Sequence, residues 1–226
     1  MPTPSVSRAV LKFSRAALLC AVCIWSASIA LELQADRLQQ LAQSRYGAHG
    51  AQAAGAWLDL LRSAATLPER DKLERVNDFW NRSVHSGEDA LIWKKPDYWA
   101  TPLESLGKGA GDCEDYVIGK YFSLLRLGVA PEKLRFVYVR AVIGGPGGKQ
   151  IAHMVLGYYS SPNAEPLVLD SLVSMILPAS GRRDLIPVFS FNTEGVYISG
   201  HQTTPVDRLS RWRDLLSRME REGIRP

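Results

Sequence analysis

Cys113, His153 and Asp170 are the residues whose types and settings could do nucleophilic chemistry. Cys113 sits in Gly111-Asp112-Cys113-Glu114-Asp115, where a glycine-rich segment gives way to a helix-periodic one. A thiol in the first turn of a helix meets orphan N–H groups and the positive end of the dipole, and both favour the thiolate. A lone cysteine is otherwise a small buried hydrophobe, but the neighbours here are a glycine and three acids. His153 lies in the alternating apolar segment Ile151-Ala152-His153-Met154-Val155. The other three histidines, His49, His85 and His201, fall in a Gly/Ala-rich stretch, a helix end and a late loop. A strand holds a general base rigidly, although it holds a satisfied core histidine equally well. Asp170 ends Leu167-Val168-Leu169-Asp170, where its carboxylate could fix the imidazole tautomer or simply start a turn. Together the three offer nucleophile, base and orienter in that chain order.

The acids flanking the thiol need a separate account. Asp112 suits a helix N-cap, and Glu114 and Asp115 complement the dipole of the first turn. Chemically they oppose a thiolate, because nearby carboxylates raise a thiol's pKa. A bound Ca²⁺ would neutralise them and takes hard oxygen ligands of this kind, although D-C-E-D is not an EF-hand spacing.

The surrounding elements follow from periodicity. Leu31, Leu38, Leu41 and Ala42 recur at helical spacing, as do Trp57, Leu60, Leu61 and Ala64 within about 52–65. Pro68 suits the first turn of a third helix through Leu73, Val76, Phe79 and Trp80. Residues 86–111, rich in Gly, Pro and Trp, read as a long loop, and its Trp93 and Trp99 could line a cleft or cover the core. A fourth helix begins at Asp112 or Cys113, with Val117, Tyr121, Leu124 and Leu125 on its face and Gly128 as its stop. After Pro131 the period becomes two. Strands are expected at 134–142, 150–159 and 166–170, with a Gly-rich turn at 144–148 and edge strands near 186–191 and 196–199. A polar helix over about 206–222 closes the chain. Helices first and then antiparallel strands define an α+β domain.

The 226 residues carry three Cys, a net charge of +4 and a pI near 9.0. Much of this belongs to residues 1–30. That segment has Arg8, Lys12 and Arg15, no acid, an apolar run from Ala16 to Ala30, and a small-x-small ending at Ser28-Ile29-Ala30. It reads as a signal peptide, with an uncleaved N-terminal anchor as the alternative. Without it, residues 31–226 keep Cys113 alone and, three positive charges fewer, +1 of the +4. Basic residues there alternate with acids, as in Arg182-Arg183-Asp184, so no stripe suited to nucleic acid forms.

Blocks spread over residues 76–196 resemble the bacterial transglutaminase-like cysteine proteinases that act on adhesins in the periplasm. The blocks are Val76-Asn77-Asp78-Phe79-Trp80-Asn81, Asp97-Tyr98-Trp99-Ala100-Thr101-Pro102-Leu103-Glu104 and Gly109-Ala110-Gly111-Asp112-Cys113-Glu114-Asp115. They continue with Lys120-Tyr121-Phe122-Ser123-Leu124, Ala152-His153-Met154-Val155-Leu156 and Pro166-Leu167-Val168-Leu169-Asp170. The resemblance implies a papain/transglutaminase-like fold, with a helical N-terminal lobe packed on an antiparallel sheet. It implies a calcium-dependent periplasmic endopeptidase, with Cys113 as nucleophile, His153 as base and Asp170 as orienter. Asp112 and Glu114 would be calcium ligands, and Asp115 is added on its position beside them. The implied substrate is a large repeat-rich surface adhesin, cut near its N-terminus so that biofilm disperses. The implied regulator is an inner-membrane receptor for cyclic-di-GMP that sequesters the protease. Acyl transfer to an amine, or a binding module with a relict triad, are the alternatives from other classes.

Overall fold

A computed structural model describes residues 8–193, 195–198, 201–206 and 209–224, with side chains from residue 34 except 198 and 201–204. Helix α1 (Arg8–Ala64) is two helical segments joined at Gly47, whose φ of 67° breaks the geometry. Its buried face carries Leu38, Ala42, Ala54, Trp57 and Ala64. The two helices expected before residue 65 are therefore the two arms of α1. Helix α2 (Glu69–Ser83) starts after Pro68, which is its N-cap rather than a residue of its first turn.

The expected long loop at 86–111 is largely ordered into short elements. Strand β1 (His85–Ser86) is followed by α3 (Asp89–Ile92), α4 (Pro102–Lys108) and strand β2 (Ala110–Gly111). Helix α4 forms despite its shortness because Thr101 and Glu104 make a reciprocal capping box and Pro102 presets the first turn. Helix α5 (Cys113–Arg126) then runs to Gly128, the expected stop, at φ 81°.

Seven strands form one antiparallel sheet in the order β6-β5-β4-β3-β7-β8-β9. They are β3 (Leu134–Ile143), β4 (Lys149–Tyr158), β5 (Leu167–Leu169), β6 (Leu177–Pro178), β7 (Leu185–Phe191), β8 (Val196–Ile198) and β9 (His201–Thr204). The expected hairpin is β3–β4, paired from Leu134↔Tyr158 to Ile143↔Lys149. His201, expected in a loop, lies in β9. Helix α6 (Ser210–Arg221) closes the fold, starting later than expected and burying Trp212, Leu215 and Met219.

The core fills the space between the helices and one face of the sheet. Tyr121 and Phe122 of α5, Phe136 of β3, Phe191 of β7 and Trp212 of α6 meet in stacked and edge-on pairs 4.7–6.0 Å apart. Such pairs add specific geometry to large apolar burial. Across the sheet, Val139, Val155 and Val168 form a smaller cluster. Alternation along β4 thus puts Met154 and Leu156 in the main core and Val155 behind it. Buried Ser123 accepts both indole N–H groups of Trp57 (2.8 Å) and Trp80 (2.9 Å) and donates to Gly119 O, which ties α1, α2 and α5 together.

The export segment 1–30 and its expected cleavage point lie outside the residues whose side chains are described. Among the described residues, no helix is long and apolar enough to cross a membrane.

Candidate active site

The start of α5 is built to present Cys113. Asp112 is the N-cap, and its carboxylate accepts the N–H groups of Glu114 at 3.1 Å and Asp115 at 3.4 Å. Asp115 Oδ2 accepts the Asp112 N–H in return at 3.4 Å. This capping box requires glycine at 111, since a Cβ there would stand 2.7 Å from Asp115 Cβ and 2.8 Å from its Oδ2. The parallel pair β1–β2 sets Ser86 against Gly111, and Tyr116 Oη donates to Val84 O at 2.5 Å. Cys113 is thereby the first residue of α5 and half-buried.

The structure joins two of the three expected residues directly and carries the third on α5, the helix packed against the histidine strand. His153 and Asp170 are buried, and His153 Nε2 lies 2.7 Å from Asp170 Oδ1. Cys113 meets the same strand at the main chain of Met154, the residue after His153, which favours the thiolate, although less than burial and the acids oppose it. The thiol itself donates to Glu114 Oε2 at 2.7 Å, not to the imidazole.

The charges explain that choice. Burial, then the Glu114 carboxylate and its hydrogen bond, push the Cys113 thiol far above its ordinary range. Burial and the neighbouring Glu114 and Asp115 push Asp112 up to about 9, and burial pushes Asp115 up to about 8. Asp170 behaves oppositely. Burial works against its charge, but hydrogen bonds from His153, Leu172 N–H and Arg182 prevail and hold it down at about 2. The chain therefore holds an ionised carboxylate behind the imidazole and a protonation-prone acid cluster beside the thiol.

That cluster can hold a metal. Asp89, Asp112 and Asp115 each place a carboxylate oxygen within 4.8 Å of the others. Asp89 is 6% exposed, and its Oδ1 is buried with no hydrogen-bond partner. Convergent, desolvated carboxylates with an orphan oxygen fit a hard divalent cation. Two of the three residues expected as ligands, Asp112 and Asp115, belong to this group, whereas the Glu114 carboxylate is turned to the thiol. Sequence reading missed Asp89, since α3 looked like loop; its proximity to Asp112 exists only in the folded chain.

The segment between α3 and α4 is fastened to the cluster. Tyr98 N–H donates to Asp89 Oδ2 at 2.5 Å and Ala100 N–H to Asp115 Oδ1 at 2.7 Å. Arg218 of α6 holds the segment from behind. It donates to Trp99 O at 2.5 Å, pairs with Glu104 and lies 4.4 Å from the Tyr98 ring centroid. Trp99 stacks on Phe191 at 5.7 Å and covers the core rather than lining a cleft.

A buried imidazole–carboxylate pair, its histidine on a strand packed against the helix that opens with a cysteine, is the constellation of a thiol enzyme, and comparison places it. The profile of the bacterial transglutaminase-like cysteine proteinases (BTLCP) matches residues 55–180. The chain belongs to this family and is a cysteine peptidase. Its structure is similar to that of Legionella pneumophila LapG, with 39% identity over 82% of this chain and 97% of that one and a TM-score of 0.71. An EGTA-treated form of that protein matches equally well, with a TM-score of 0.71. Its calcium-bound form matches with 39% identity over 82% of this chain and 98% of that one and a TM-score of 0.70. No curated protein sequence matches. The expected fold, an α-helical lobe on an antiparallel sheet of the transglutaminase-like type, is the one observed.

Proposed function

We propose that the chain is a calcium-dependent periplasmic cysteine endopeptidase that cuts a large surface adhesin near its N-terminus. The observation that carries the reading is the buried His153–Asp170 pair, 2.7 Å apart, beside a cysteine at the first turn of α5. In this reading Cys113 attacks the scissile carbonyl and His153 takes the thiol proton. His153 then returns the proton to the leaving amine, and water, activated by His153, hydrolyses the acyl-enzyme. Asp170 fixes the imidazole throughout. The Cys113 main-chain N–H, free at the helix start, is the natural donor to the oxyanion.

Asp112 and Asp115, with Asp89 and Glu114, are the residues that would hold calcium. The ion would supply positive charge beside the thiol, against the carboxylates that now disfavour thiolate. The calcium-bound and EGTA-treated forms of the Legionella relative support a role for calcium, and the acid cluster supports its place. Residues 1–30 would direct export to the periplasm, where the inner-membrane cyclic-di-GMP receptor would sequester the enzyme and the adhesin would meet it.

The test is cleavage of a purified N-terminal adhesin segment, with products read by mass spectrometry. Two fragments are expected with calcium, and none with EGTA or with Cys113→Ala. Cleavage by Cys113→Ala would overturn the proposal, and an isopeptide-linked product would assign acyl transfer instead.

A further inference from the structure

Asp170 is held far more completely than an imidazole partner requires. Its Oδ1 receives His153 and, at 3.0 Å, the Leu172 N–H. Its Oδ2 receives Arg182 Nη2 at 2.6 Å. Its main-chain oxygen accepts Asn81 Nδ2 of α2 and Lys120 Nζ of α5, both at 2.9 Å. Asn77, one turn before Asn81, donates to Ser174 O at 2.7 Å and pins the segment that follows. The block Val76–Asn81, to which the sequence reading gave no part in the chemistry, thus grips the loop that carries the carboxylate.

Arg182 stands out within this shell. Its side chain is 2% exposed, and it enters from the far side of the sheet, after the turn at 179–181. Asp184 holds it in a fork, through Nε at 3.0 Å and Nη2 at 2.7 Å. The Asp184 main-chain oxygen accepts Val142 N–H of β3 at 2.8 Å. The guanidinium is therefore anchored to the strand that pairs with the histidine strand. A buried ion pair is a poor device for stability alone, because desolvation offsets most of its attraction. A planar, tethered guanidinium is a good device for fixing one carboxylate oxygen in place.

We propose that Arg182, braced by Asp184, is a positioning residue for the thiol chemistry: it locks the Asp170 carboxylate so that Oδ1 alone faces His153. The proposal rests on the reading of His153 and Asp170 given above. Its charge has a second effect. Arg182 shares the carboxylate with the imidazole, so removing it leaves the imidazolium as the only cationic side chain on Asp170. Lys120 reaches only the main-chain oxygen, Asp184 stays on the outer side, and Cys113 approaches from α5.

The experiment uses the full chain in calcium-containing buffer. Alkylation of Cys113 by iodoacetamide is timed at neutral pH, and the His153 titration is followed by NMR, assigned with His153→Gln. Arg182→Met should slow alkylation about 10- to 100-fold and move the His153 midpoint up, because a cation on the shared carboxylate is gone. Arg182→Lys, which keeps the charge, should restore the midpoint and part of the rate. Should Arg182→Met not fold, Asp184→Asn carries the positioning arm of the test: it removes the brace but keeps the guanidinium charge, so alkylation should slow while the midpoint does not rise. A folded Arg182→Met protein with unchanged rate and unchanged midpoint, or a folded Asp184→Asn protein with unchanged rate, overturns the proposal, whatever its melting temperature. A wild-type alkylation rate in His153→Gln would instead overturn the underlying site reading.

Discussion

The Cys113 thiol donates its hydrogen bond to the carboxylate of the very next residue, Glu114, at 2.7 Å. A thiol spent as a donor to an anion is a poor nucleophile. Glu114→Gln removes the charge but keeps an acceptor. In EGTA this variant should react with iodoacetamide faster than wild type, and added calcium should accelerate it less. Slower alkylation of the metal-free variant would contradict the electrostatic account.

The cluster of Asp112 and Asp115 makes metal-free stability depend on pH. Both carboxyls bind protons more tightly in the folded chain, up to about 9 and about 8, than an unfolded Asp does. The folded state therefore holds extra protons, and stability falls as pH rises from about 4 through those values. Thermal melts in EGTA should drop steadily from pH 5 to about pH 9. Calcium should raise the melting temperature most at the alkaline end. Asp112→Asn preserves the cap and should melt higher than wild type in EGTA, with a diminished response to calcium.

Asp170→Asn keeps the shape but loses the charge behind the imidazole and its pair with Arg182. Loss of the correct tautomer should lower the cleavage rate by roughly three to four orders of magnitude. Binding of the proposed adhesin substrate should change little, which a calorimetric titration with a Cys113→Ala background can check.

Ser123→Ala is a test of the core rather than the site. It strips the acceptor from two buried indole N–H groups, those of Trp57 and Trp80. Each orphan donor costs about 1–3 kcal/mol, so the unfolding free energy should fall by roughly 2–6 kcal/mol. Denaturant melts will show it.

Gly119→Ala probes the same place sterically. A Cβ at 119 would stand 2.5 Å from three atoms of the Trp80 ring, which is itself buried on every side. Overpacking of this kind costs about 1–3 kcal/mol, again read from denaturant melts.

The legible parts of the sequence were those written in local pattern. The β3–β4 hairpin announces itself by alternation and by glycines at 144, 145 and 147 with positive φ. Cys113 at the start of α5 follows from the capping acids, and Gly128 from the need for a left-handed stop. Helix α4 was also written there, since Thr101-Pro102-Leu103-Glu104 is a capping box with proline at the first position. The surrounding Gly, Pro and Trp disguised it. Strand β6, of two residues, is too short for periodicity to register. Asp89 and Arg182 were illegible for a different reason. Their partners, Asp112 and Asp170, lie outside any helical or strand period of them, and only tertiary folding makes one a candidate ligand and the other an anchor.

Arg218 ties α6 to the segment whose N–H groups hold Asp89 and Asp115. The geometry of the acid cluster is thus partly set by a helix that offers it no oxygen. With calcium bound as proposed, a change confined to this tail would alter the calcium concentration at which the enzyme switches on. Selection would then have a way to tune the ion requirement without touching any carboxylate of the cluster.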